Sequence, residues 1–127
     1  MVLLQKSHIT NMSIDKFFHR KYNLNSYNCA HFVCEVWESL TGESIAHKLA
    51  GVLKPPKDRV VGFDLRRQFK RLTGPESPCL TLMQRAGNAP HVGIYLRGRI
   101  FHIQETGVEF QPIDVAKRGF DKIGFYK

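Results

Sequence analysis

Apolar residues recur at helical spacing in the first half of the chain and with a period of two in the second. In SIDKFFHRKYN, Ser13 suits an N-cap and Ile14, Phe17 and Phe18 form a buried stripe, which predicts a short helix. LNSYN then reads as a loop. From Cys29 onward, Val33, Val36, Trp37 and Leu40 fall at i, i+3, i+4 and i+7, the signature of a helix with one buried face. Cys29 lies four residues before Val33 and so shares that face at the first turn. Thr41-Gly42 ends the helix, Gly42 being suited to the left-handed position after it. A second short helix is expected around ESIAHKLA, with Pro55-Pro56 as the break. VVGFDLRRQFKRLTG places Val61, Leu65, Phe69 and Leu72 on one face and arginines on the other, an amphipathic helix stopped by Gly74-Pro75.

Beyond this point CLTLMQR, HVGIYL, RIFHIQ, GVEFQP and KIGFYK are short, rich in β-branched and aromatic residues, and separated by turn residues. Helices followed by strands predict an α+β fold, with N-terminal helices packed on an antiparallel sheet of about five strands. Residues 1–127 form a single domain on this expectation, since the chain holds no internal repeat or low-complexity linker.

The hairpin HVGIYLRGRIFHIQ brings the first chemistry. A turn at Arg97-Gly98 pairs Leu96 with Arg99, Gly93 with His102, and His91 with Gln104. The two-residue period then puts His91, Gly93, His102 and Gln104 on one face and Val92, Ile94, Leu96, Phe101 and Ile103 on the other. Two imidazoles and an amide gather around a glycine that leaves space above the strand. A thiol at a helix start beside an imidazole is a common way to make a nucleophile, because both lower its pKa. Cys29 has the helix start, His91 can serve as base, and either His102 or Gln104 can orient that base. The unpaired N–H of Cys29 can help hold an oxyanion.

Composition narrows the alternatives. The 43% hydrophobic and 24% charged fractions are those of a globular chain. Three cysteines, without CxxC or zinc-ribbon spacing, argue against a disulfide framework and a metal site. Cys34 lies one helical face away from Cys29 and is expected to be structural, and Cys79, opening a strand, to be core. His8, His19 and His47 carry no pattern and are expected at the surface. The net charge of +8 is concentrated between Lys54 and Arg71, where seven basic residues face Asp58 and Asp64, a net +5. Such a stretch is a solvated helix face or a surface for an anionic polymer. It comes with neither an RNA-binding aromatic motif nor a helix-turn-helix pattern, so no nucleic acid partner is expected. The opening MVLLQKSHITNMS does not look like a signal peptide, and no stretch approaches the apolar length of a membrane span.

YNCAHFV, followed by HVGIYL and IFHI, resembles the NlpC family of papain-like cysteine peptidases, which cut bacterial cell-wall peptides. The resemblance runs from about Ser13 to Lys127, since KIGFYK is similar to the family's closing strand. It implies a papain-like NlpC fold with Cys29 as nucleophile, His91 as base and His102 as the orienting residue, and no cofactor. It further implies a peptidoglycan stem peptide as substrate, cleaved at an amide through a thioester acyl-enzyme, with the basic stretch helping the protein dwell on an anionic wall. Such a protein would be made in a bacterial cytoplasm without a signal peptide and act at the cell wall, as part of a phage tail and virion or as an effector delivered by a secretion machine. The sequence departs from the family at Asn28, where an Asp is usual, at Ala30-His31, where a Ser follows the cysteine, and at CLTLMQR, which lacks a Gly-Asp pair. The family's upstream tyrosine corresponds to Tyr22 or Tyr27. Tyr27, Asn28 and His31, on this divergent flank, are the candidate substrate-binding residues, although surface or cleft rim is the plainer role for His31. NCAHFV also resembles the NCEHF motif of lecithin:retinol acyltransferase relatives, whose histidine strands precede the cysteine; here Cys29 precedes His91. Two alternatives therefore accompany the peptidase: an acyltransferase or lipid-directed thiol hydrolase on the same scaffold, and a non-catalytic tail or wall-binding module.

Overall fold

The first turn of a helix leaves backbone N–H groups without partners. Asn28 answers two of them in α1 (Cys29–Thr41): its Oδ1 accepts from Ala30 N–H at 2.9 Å and His31 N–H at 3.4 Å. The His31 Nδ1 accepts the Asn28 N–H at 3.1 Å, closing a reciprocal capping box. At the other end Gly42 adopts φ 77° and donates to Glu38 O at 2.8 Å, as the Thr41-Gly42 stop predicts. The apolar stripe of α1 buries Ala30, Phe32, Val33, Val36 and Trp37, with Cys34 and Leu40 half-buried beside it.

A computed structural model describes residues 14–49, 65–88 and 90–127 of the chain. Ser13, His8 and the opening segment lie outside the described residues, as do Pro55-Pro56, Val61 and the basic segment as far as Asp64. Ile14 and Phe17 are buried as expected, but Phe18 is 40% exposed. Lys16–His19 form a 3-10 turn, whose tighter winding carries Phe18 off the stripe, and its ring lies on Phe101 with centroids 5.2 Å apart. The helix expected in ESIAHKLA is a single 3-10 turn, Ala46–Lys48, between buried Ile45 and Leu49. Leu65 and Phe69 are buried around a helical turn at 65–68, but the helix does not continue to Gly74. Lys70 exchanges backbone hydrogen bonds with Lys127 at 2.9 and 3.0 Å, and β1 (Arg71–Leu72) follows, so cross-strand partners replace helical ones.

The five expected strands form as β2 (Cys79–Gln84), β3 (His91–Leu96), β4 (Arg99–Gln104), β5 (Gly107–Pro112) and β6 (Lys122–Tyr126). With β1 they make an antiparallel sheet of six strands in the order β1-β6-β2-β3-β4-β5. A short helix, α2 (Ile113–Lys117), joins β5 to β6. The alternation of each strand divides the sheet into two apolar faces. Leu80, Leu82, Val92, Ile94, Phe101 and Ile103 form one core with the buried side of α1, where Phe32 meets Phe101 edge-on at 4.9 Å. Met83 and Ile100 form a smaller core with Ala116 of α2, flanked by Tyr95, Phe120 and Ile123. The architecture is α+β. Among the described residues no helix is long and apolar enough to cross a membrane.

Candidate active site

The β3–β4 turn needs two residues with positive φ if the strands are to keep their right-handed twist, and Arg97 (φ 52°) and Gly98 (φ 83°) supply them. This fixes the predicted register at the turn, with Leu96 opposite Arg99 and Ile94 opposite Phe101, but the ladder stops there and does not include the expected pairs Gly93–His102 and His91–Gln104. His91, Gly93, His102 and Gln104 accordingly share a face. The space above Gly93 is occupied: a Cβ there would lie 2.9 Å from the Met83 methyl and 3.1 Å from both His102 Cβ and Phe101 O. His102, fully buried, is thereby set close against the β3 backbone.

The imidazoles meet. His91 Nε2 lies 2.9 Å from His102 Nδ1, and His102 Nε2 lies 3.0 Å from Gln111 Oε1. The Gln111 oxygen can only accept, so His102 carries its proton on Nε2 and its Nδ1 is an acceptor. The Gln104 amide nitrogen, 3.4 Å from the same Nδ1, agrees with that assignment. His91 must then donate from Nε2, and its Nδ1 keeps a free lone pair. Both residues expected to orient the base thus converge on one nitrogen, His102 by direct contact with His91 and Gln104 through His102. Gln111 was not anticipated. Its signal was present, because Ile100 opposes Gln111 and His102 opposes Glu109, so Gln111 lies diagonal to His102 on the same face.

Cys29, at the start of α1, is half-buried against the main core. Its sulfur lies against the backbone N–H of Val92, the residue after His91, and against the N–H groups of Ala30 and Cys29 itself. At Val92 β3 still pairs with β2, but its pairing with β4 has ended. Burial pushes the Cys29 thiol above its ordinary pKa, opposed by those three N–H groups. Packing around the His91 ring, with His102 adding to it, holds that imidazole down to about 3. The face of the ring is covered by Phe120, stacked at 5.9 Å and 3°. Burial also lowers the pKa of His102, while its bond to Gln111 and the charge of Glu109 act the other way. At rest Cys29 is therefore a thiol and His91 a neutral imidazole, where the sequence suggested a lowered thiol pKa.

The pH dependence follows. An unfolded chain protonates His91 near 6.5 and the folded one near 3, so this residue's contribution to stability is complete above 6.5 and is lost as pH falls toward 3. Alkylation of Cys29 by iodoacetamide, followed by peptide mass spectrometry, is expected to rise about tenfold per pH unit from neutrality into the alkaline range. A rate that stays level below pH 6 would instead reveal a preformed thiolate–imidazolium pair.

Of the two candidate tyrosines, Tyr22 is the one on the cleft that holds His91. Its pKa is raised by burial and then by the charges of Cys29 and Glu105. It lines a cleft of about 470 Å³ with His91, Gln104, Glu105, Phe120 and Arg85. Tyr27 points elsewhere and donates its O–H to Glu35, which also accepts two bonds from Arg20 at 3.0 Å. Asn28, 2% exposed, also donates from Nδ2 to Leu24 O at 3.3 Å, and His31 stacks on Tyr27. Tyr27, Asn28 and His31 thus hold the loop to the helix start, and none lines the cleft. Cys34 is half-buried with its pKa pushed up to about 11 by burial, and Cys79 is fully buried. His19 and His47 are exposed. Among the described residues no three His, Cys, Asp or Glu side chains are grouped to hold a metal ion. No family model matches the chain, and no curated protein matches it in sequence.

Proposed function

We propose that this protein is a cysteine hydrolase of the papain-like NlpC kind that cleaves an amide bond in a peptidoglycan stem peptide. The observation that carries the proposal is the hydrogen-bond chain His91–His102–Gln111, which leaves the His91 Nδ1 lone pair available as a proton acceptor, one residue before the Val92 N–H that acts on the Cys29 thiol. In the reaction His91 Nδ1 takes the thiol proton and the sulfur attacks the amide carbonyl carbon. The Cys29 N–H, which Asn28 does not cap, and the neutral Tyr22 O–H donate to the resulting oxyanion. The C–N bond then breaks, and the imidazolium returns its proton to the leaving amine, giving a thioester. Water, deprotonated by the same nitrogen, releases the carboxylic acid and restores the thiol. The substrate class comes from the family resemblance, as does action at a bacterial cell wall by a phage-tail protein or delivered effector. Mass spectrometry of muropeptides after digestion by the wild type and by Cys29→Ala tests it: new fragments are expected with the wild type alone, and identical profiles would sink the proposal.

Gln111 acts through His102 as a positioning residue. In Gln111→Leu the buried His102 Nε2–H loses its acceptor, at a stability cost of about 1–3 kcal/mol. We expect kcat about tenfold lower with KM unchanged. Nitrogen NMR should show His102 in a mixture of tautomers. A variant with normal kcat and a single tautomer would remove Gln111 from the relay.

A further inference from the structure

The cleft beside His91 does not end at Arg85. A second cleft of about 350 Å³ opens from it, since Arg85 and Asn88 line both, and Arg66 and Lys122 line its far part. Arg66, Arg85 and Lys122 come from three separated parts of the chain: the helical turn at 65–68, the β2–β3 connection and the start of β6. Among the described residues no carboxylate forms an ion pair with any of them, the two ion pairs being Arg20–Glu35 and Lys127–Glu76. The single acid in the lining, Asp121, accepts the Ala86 N–H at 2.7 Å and so holds the turn that presents Arg85. Glu105 lines the first cleft together with Tyr22 and His91, and does not line the extension. The extension is therefore predominantly basic, and the cleft beside His91 carries both Arg85 and Glu105.

We infer that the basic extension is a subsite for a carboxylate on the peptide substrate, with Arg85, at the junction of the two clefts, as its principal contact. The inference rests on the hydrolase proposed above and adds which feature of the peptide is read. A guanidinium pairs with a carboxylate through two parallel N–H···O bonds, a geometry that a carboxamide cannot reproduce. The groove is open to solvent, so the discrimination is moderate.

The test is direct binding, which does not depend on turnover. Cys29→Ala protein is titrated by NMR with a synthetic stem tripeptide and with forms in which each carboxylate in turn is a carboxamide. One amidation is expected to weaken binding about tenfold, and Arg85→Gln on the Cys29→Ala background should bind that amidated form and its acid equally. Arg66→Gln and Lys122→Gln should show smaller losses of the same preference. Arg85 is exposed, so its replacement leaves the fold intact, as the NMR spectrum would verify. Equal binding of all forms, equal weakening of all forms by Arg85→Gln, or no binding of any form would each overturn the subsite. Binding with the predicted preference but no cleavage by the wild type would overturn the hydrolase and leave the subsite standing.

Discussion

Cys29→Ala and His91→Ala are expected to be equally inactive, each lowering kcat on a stem peptide by on the order of 10⁴-fold or more, and the double variant no slower than either. On the proposed mechanism the two residues act as one functional unit. Burial keeps the thiol protonated, so without the Nδ1 lone pair no thiolate forms near neutral pH. Without the sulfur, that lone pair has no proton to take. His91→Ala also leaves a ring-sized space against Phe120 and within reach of His102 Nδ1. Added imidazole should enter it and restore part of the rate, which separates loss of a base from loss of fold. A double variant slower than both single ones by the product of their effects would mean that the residues act independently.

The second large effect is expected at Gly93. An alanine methyl would meet three atoms at 3.1 Å or less, and they do not yield equally. The Met83 methyl ends a flexible side chain and can swing away. His102 Cβ and Phe101 O belong to the paired backbone of β4 and can move only if the hairpin shifts. Overpacking of this kind costs about 1–3 kcal/mol. We expect Gly93→Ala to lower the urea midpoint accordingly and to reduce kcat about a hundredfold, because the displaced atom carries the ring that orients His91. Adding Met83→Ala should not restore activity. If it does, the methionine contact is the one that matters, and His102 tolerates the methyl.

The β-half of the fold was legible because its information is local. Alternating side chains mark each strand, and Arg97-Gly98 sets a register that brings His91 and His102 onto one face. The bounds of α1 were legible for the same reason, through Cys29 at the start and Gly42 at the stop. What stayed hidden depends on partners distant in sequence. Leu72 follows Phe69 at a spacing that suits a helix, and only pairing with Phe125 makes it a strand. Tyr22 and Tyr27 are separated by the closure of their loop, where Asn23 pairs with Tyr27 and its side chain accepts from Asn25 and Ser26 at 3.0 Å. The direction of the Cys29 pKa could not be read from a helix start alone, because burial against the sheet outweighs the nearby N–H groups. Gln111 required carrying the register one strand further, past the turn at Gly107 (φ 128°).

The place of β6 in the sheet has a kinetic consequence. This strand, the last in the chain, sits between β1 and β2 and pairs residue by residue with Leu80 through Gln84. Most of the sheet can form earlier from sequential hairpins, but β2 remains an open edge until Lys122–Tyr126 arrive. Contacts of such long sequence separation are slow to close, and an open edge is a site for pairing between chains. Met83, which packs over Gly93, lies on β2 opposite Ile123. The thiol site is therefore among the last parts of the molecule to become rigid, and a ribosome-bound chain short of residue 122 should carry the cysteine and both histidines without the geometry that couples them.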